Sequence, residues 1–207
     1  MSNINDELKS IFIHVPKCAG TSMGDFTWNI SSGHKTISEY KSDGINLDNY
    51  FKWCFVRNPW ERIVSAYEDC PEIFQFAPTF EDFINILYSK KQNFPKNEIK
   101  YSQYFDIGFP LKYYRIHFMP MNLLIKINGE VCIDFIGRFE NLESDWDTIQ
   151  KKLNVEVKKL NKSNARVQKI NFKRRTSFYK DLYNQNLIDL VGEIYEEDIN
   201  LFKYKFD

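Results

Sequence analysis

The sequence predicts an α/β fold, with a largely parallel central sheet and helices on both faces. Three observations lead there. Short apolar runs occur at residues 11–15, where they are β-branched, and at 53–56 and 131–136. The first two run within a few residues into helix-start signals. Amphipathic stretches at helical spacing alternate with these runs, the pattern of strand–helix–strand units. In such sheets ligands sit at the carboxyl ends of the strands.

The first strand is predicted over Ile11–Val15, where Ile11, Ile13 and Val15 supply the β-branched residues. Pro16 stops it, and a helix is expected from about Gly20 to Ile30. Residues 31–34 read as a loop, and Asp43-Gly44 as a turn. Trp53-Cys54-Phe55-Val56 is the second core strand. It leads into Asn58, an N-cap, Pro59, suited to the first helical position, and Glu61, placed to complete a capping box.

Thr79-Phe80-Glu81-Asp82 opens another helix, with Phe80, Phe83, Ile84 and Leu87 facing the core. Residues 89–112 read as a long loop with short helical pieces. Leu123–Ile127 followed by Asn128-Gly129 reads as a strand and turn. Val131–Ile136 is the third core strand, and Leu142, Trp146, Ile149 and Leu153 mark one helix face after it. Residues 178–203 form one or two helices carrying Leu187, Leu190, Val191, Ile194 and Tyr195 on a stripe.

The length of 207 residues suits a single domain over 1–207. Apolar content of 43% excludes a mainly disordered chain. A net formal charge of zero argues against nucleic acid held by sheer basicity. No apolar run approaches the roughly 20 residues of a membrane helix, which leaves only peripheral membrane contact open. Residues 1–10 are polar and mixed in charge, unlike a secretory signal. Cys18, Cys54, Cys70 and Cys132 lack metal-ligand spacing, so a reducing, cytoplasmic setting is expected.

Two strand ends carry anion chemistry. Around Lys17-Cys18-Ala19-Gly20-Thr21-Ser22 a strand, a small-residue turn and a helix N-terminus offer backbone N–H groups, a lysine and two hydroxyls. Arg57 ends the second strand beside the helix start at Asn58. Lys17, Arg57 and Arg138 each fall just past a predicted strand end and are expected to face one crevice, suiting a ligand with two separated anionic groups. The first loop is not a Walker A motif, because its lysine precedes the glycine. Neither of the first two strands ends in the Asp that a magnesium-dependent kinase needs.

These residues resemble a known family. Pro16-Lys17-Cys18-Ala19-Gly20-Thr21-Ser22 is similar to the 5′-phosphosulfate loop of sulfotransferases. Arg57-Asn58-Pro59-Trp60-Glu61-Arg62-Ile63-Val64-Ser65-Ala66-Tyr67 resembles their 3′-phosphate motif. Asp134–Leu142 and the closing Tyr195–Tyr204 are similar to segments of carbohydrate sulfotransferases of the chondroitin 4-O and heparan sulfate 2-O type. The resemblance implies a P-loop-like three-layer sandwich and the donor 3′-phosphoadenosine 5′-phosphosulfate, with no metal expected. It implies that Lys17 contacts the 5′-phosphate and the leaving oxygen, within a cradle of Cys18, Ala19, Gly20, Thr21 and Ser22. Arg57 and Ser65 would hold the 3′-phosphate, and Arg138 would join the donor site.

An acceptor hydroxyl needs a general base. The chain has three histidines. His34 resembles the base of heparan sulfate 2-O-type relatives by position, and His117, in His117-Phe-Met-Pro120, resembles a segment of the chondroitin 4-O type. Glu140 is a third candidate, and His14 reads as a packed residue. Residues 151–175 carry ten Lys or Arg against one acid, Glu156, a solvated face or a seat for an acidic glycan. The expectation is a sulfotransferase acting on a carbohydrate or glycoconjugate hydroxyl. A small-molecule kinase and a non-catalytic binding protein remain open.

Overall fold

The computed structural model describes residues 3–20, 33–95, 115–156 and 179–207. In chain order its first elements are β1 (Ile4–Asn5), β2 (Ser10–Ile13), α1 (Ile37–Ser42), β3 (Phe51–Val56), α2 (Pro59–Glu68) and α3 (Phe80–Ser89). Then come α4 (Arg115–Phe118), α5 (Asn122–Ile125), β4 (Lys126–Ile127), β5 (Glu130–Val131), β6 (Phe135–Arg138), α6 (Leu142–Lys152), α7 (Gln185–Ile194) and α8 (Glu196–Phe202). The architecture is α/β: a mainly parallel central sheet flanked by helices.

The sheet runs β1-β2-β3-β6. β1 lies antiparallel to β2, while β2–β3 and β3–β6 are parallel, with Ile13 opposite Cys54 and Val56 opposite Arg138. All four residues of β2 are buried, as expected of an apolar run covered on both faces. Ser10 is tolerated there because its Oγ accepts from the Trp53 indole N–H at 2.8 Å. The Trp53 ring also packs on Phe12 at 4.4 Å and on Trp146 of α6 at 5.8 Å, so α6 covers that face. Opposite Phe55 stands Gly137, and a Cβ there would come within 2.5 Å of the Phe55 ring.

The helix starts are mostly where local chemistry puts them. Thr79 and Asp82 form a reciprocal capping box on α3, which buries Phe80, Phe83, Ile84 and Leu87. Asn58 caps α2 through Trp60 N, with Pro59 in the first turn. The expected back-bond from Glu61 is absent: Glu61 pairs with Arg57 at 2.6 Å, and Glu140 takes the Asn58 N–H at 2.7 Å instead. A guanidinium outcompetes a backbone N–H for a carboxylate.

Three strand predictions shift. The first strand ends at Ile13, two residues early. Leu123–Ile125 is helical, and only Lys126–Ile127 pairs, with Glu130–Val131 across Asn128 (φ 51°) and Gly129 (φ 83°). The buried Asp198 carboxylate accepts from the N–H groups of Met121 and Asn122, and this distant cap overrides the apolar run's reading as a strand. The third core strand is Phe135–Arg138, because Asp134 is spent clamping Lys52 through its side chain and N–H. The predicted helix at 20–30 and most of the loop at 89–112 lie outside the described residues. No helix among the described residues is long and apolar enough to cross a membrane.

Candidate functional site

The loop after β2 is wound tightly. Val15 N donates to Ile13 O and Cys18 N to Val15 O, and Lys17 and Ala19 both adopt left-handed backbone (φ 66° and 74°). Each such residue costs about 1 kcal/mol or more. Strain of this kind re-aims backbone N–H groups, as anion-binding nests require. Gly20 is forced: a Cβ there would lie 1.8 Å from His14 Nε2. The Cys18 side chain turns into the core, where burial pushes its thiol up to about 12, so it packs rather than reacts. Thr21 and Ser22 lie outside the described residues.

Lys17 and Arg57 share one side of the sheet. Arg57 Nη1 donates to the Lys17 carbonyl at 3.3 Å. Its guanidinium lies 4.1 Å from the centre of the Phe139 ring, and its Nε is buried with no hydrogen-bond partner among the described residues. Lys17 Nζ pairs with Asp69 Oδ2 at 3.1 Å. Ser65 sits half-buried on α2, four residues before Asp69. Arg138 is the last residue of β6 rather than the residue after it, and its guanidinium donates to the Phe202 carbonyl and covers the Tyr204 ring. Both Glu140 oxygens are engaged, one by Asn58 N and the other by Tyr204 OH at 2.9 Å.

All three histidines converge. The His14 and His34 ring centres are 4.3 Å apart, and those of His34 and His117 are 5.3 Å apart. Burial lowers all three below the ordinary 6.5. His14 falls to about 3 and His117 to about 2, with His34 and the Lys17 cation adding to burial in both cases. His34 is lowered by burial, then by Arg62 and Lys17, against a bond to His14 that raises it. That bond joins His34 Nδ1 and the His14 carbonyl at 3.0 Å. A carbonyl only accepts, so Nδ1 carries the hydrogen and Nε2 the lone pair.

Arg62, for which no role was expected, is 1% exposed on α2. Its Nε donates to Pro16 O at 3.0 Å and its Nη1 to Met119 O at 2.9 Å, joining the lysine loop to the turn after His117. The signal was present: Arg62 lies among Pro59, Ile63 and Ala66 on the buried face of its helix. Asp69 was missed too. A cavity of about 450 Å³ lined by Lys41, Leu47, Lys52 and Asp134 lies at the opposite ends of the strands, with Lys52 already bonded to Asp134. Among the described residues no group of three or more His, Cys, Asp or Glu is arranged to hold a metal ion. The basic stretch lies outside the described residues from 157 to 175.

A model of the family described as "Sulfotransferase family" matches residues 1–205. Carbohydrate sulfotransferase 11 of Rattus norvegicus is 22% identical over 196 residues, 85% of this chain and 53% of its own length. Carbohydrate sulfotransferase 14 of Danio rerio is 23% identical over 208 residues, 89% of this chain and 53% of its own. An uncharacterized protein of Archaeoglobus fulgidus is 32% identical over 108 residues, 52% of this chain and 70% of its own. The chain thus spans about half the length of the two named enzymes. No solved structure matches.

Proposed function

The chain belongs to the sulfotransferase family, and on that premise we propose that it moves a sulfuryl group from 3′-phosphoadenosine 5′-phosphosulfate to a hydroxyl of a carbohydrate or glycoconjugate. One observation carries the donor assignment: the Arg57 guanidinium donates to the backbone carbonyl of Lys17, which brings both residues to the carboxyl ends of two adjacent parallel strands. The residues fit such a ligand. The loop is wound with left-handed backbone at Lys17 and Ala19, Gly20 has no room for a side chain, and the Arg57 Nε is buried without a hydrogen-bond partner among the described residues.

When bound, the donor supplies the sulfuryl group and a bisphosphate leaving group. Lys17 stabilises charge on the leaving oxygen, and Arg57 with Ser65 grips the 3′-phosphate. His34 takes the acceptor proton at Nε2, the nitrogen that its bond to His14 leaves basic. Glu140 is set aside as a base because both its oxygens serve the start of α2 and Tyr204.

Calorimetry with adenosine 3′,5′-bisphosphate and with ATP tests this reading. The wild-type chain is expected to favour the bisphosphate by about tenfold or more. Arg57→Ala should weaken the bisphosphate by about 10–100-fold, the range of a charge-assisted contact, and ATP by much less. A preference for ATP, with magnesium-dependent turnover, would replace the sulfotransferase by a kinase.

His34→Ala should lower transfer to a carbohydrate acceptor by about a hundredfold or more. The pH dependence carries a sign. Because burial and two cations hold His34 below 6.5, it stays neutral as the pH falls through that value. The wild-type kcat/KM should therefore keep its plateau below pH 6.5, and a break at 6.5 would move the base elsewhere.

A further inference from the structure

Asp69 sits where helix chemistry disfavours it. It is the C-cap of α2, its N–H bonded to Tyr67 O, and it follows Glu68 in a last turn that contains no basic residue. Negative charge at a helix C-terminus opposes the helix dipole and destabilises the helix end. A broken local rule of this kind marks a place where another demand prevails. The other demand is visible. Asp69 Oδ2 lies 3.1 Å from Lys17 Nζ, with the two side chains 25% and 16% exposed. The pair joins the lysine of the strained loop to the helix that also carries Ser65, one turn earlier.

An ammonium on a four-carbon stem has many rotamers, and the backbone of Lys17 is already held at φ 66°. The carboxylate restricts that freedom. It also presents a fixed negative charge at the point where the proposed donor must bring its 5′-phosphosulfate. A carboxylate and a phosphate cannot share one ammonium without repelling each other.

Resting on the proposed donor site, we infer that Asp69 is a positioning residue of it, an exchange partner that holds Lys17 and yields it to the incoming 5′-phosphate. Binding therefore includes the breaking of an ion pair, and Asp69 lowers the affinity for donor and spent bisphosphate alike. It acts only on ligands that carry a phosphate at the 5′ end. Weaker holding of the spent bisphosphate favours its release, a step that limits turnover in many enzymes.

The test is calorimetric and needs no acceptor. Adenosine 3′,5′-bisphosphate and adenosine 3′-monophosphate are titrated into the wild-type chain, Asp69→Asn, Lys17→Ala and the double variant. Asp69→Asn should bind the bisphosphate about five- to tenfold more tightly, and the 3′-monophosphate within twofold of wild type. In the Lys17→Ala background the same substitution should change bisphosphate affinity by less than half as much on a logarithmic scale. Structural damage weakens binding, so tightening confined to one ligand separates exchange from misfolding.

Equal tightening for both nucleotides, weaker bisphosphate binding, or an undiminished effect without Lys17 would each overturn the exchange. If the wild-type chain binds neither adenosine ligand, the donor assignment itself falls. If it binds the bisphosphate and Asp69→Asn matches it, only the role of Asp69 falls.

Discussion

Lys17→Ala is expected to cut sulfuryl transfer by about a hundred- to a thousandfold while changing bisphosphate affinity by about tenfold or less. The asymmetry comes from where charge develops. Negative charge grows on the oxygen that leaves the sulfur, and a cation aimed there is stronger in the transition state than in the ground state. Losing one such donor costs about two to three powers of ten in turnover. Lys17 is suited to the task by its place in a loop tied down on both sides. Its carbonyl takes the Arg57 guanidinium, and the preceding Pro16 carbonyl takes Arg62. Single-turnover rates with donor and acceptor, beside calorimetry with the bisphosphate, separate the two effects. Unchanged turnover would remove Lys17 from the chemistry.

Gly20→Ala should be nearly as damaging, through shape alone. The added methyl would lie 1.8 Å from His14 Nε2, and the ring has nowhere cheap to go. It is stacked on Phe12 at 5.7 Å and tilted against His34 at 4.3 Å, with its Nδ1 buried. Relief must come from the loop or from the histidine cluster. Overpacking of this kind costs about 1–3 kcal/mol. The displaced loop is expected to lose about a hundredfold or more in bisphosphate affinity. Combining it with His14→Ala should restore part of the melting temperature, because the smaller side chain vacates the disputed volume. A variant that melts and binds like wild type would show that the ring is not held.

The elements that local chemistry governs were legible in the sequence. The α3 start needed only Thr79 and Asp82, and the α2 start needed only Asn58 and Pro59. The turn at Asn128-Gly129 followed from two residues that accept positive φ. The errors share one physical origin. At residues 123–125 the predicted strand yields to a carboxylate from Asp198, more than seventy residues away. At Asn58 the local partner Glu61 yields to Glu140, because Arg57 competes for Glu61. Side chains that answer to distant partners leave no short-range signature.

The same division runs through the candidate site. By itself the sequence determined the α/β class, the strand-end positions of Lys17 and Arg57, and the family, because these rest on periodicity, caps and contiguous motifs. Only the tertiary structure decided that the three histidines, scattered from residue 14 to residue 117, form one cluster. It alone decided that Arg62 ties the lysine loop to the turn after His117, and that Asp69 holds Lys17. Spacing along a chain fixes which residues face together within one element. Which elements meet is decided by the packing of the whole core, and with it the partners, protonation and burial of every side chain between them.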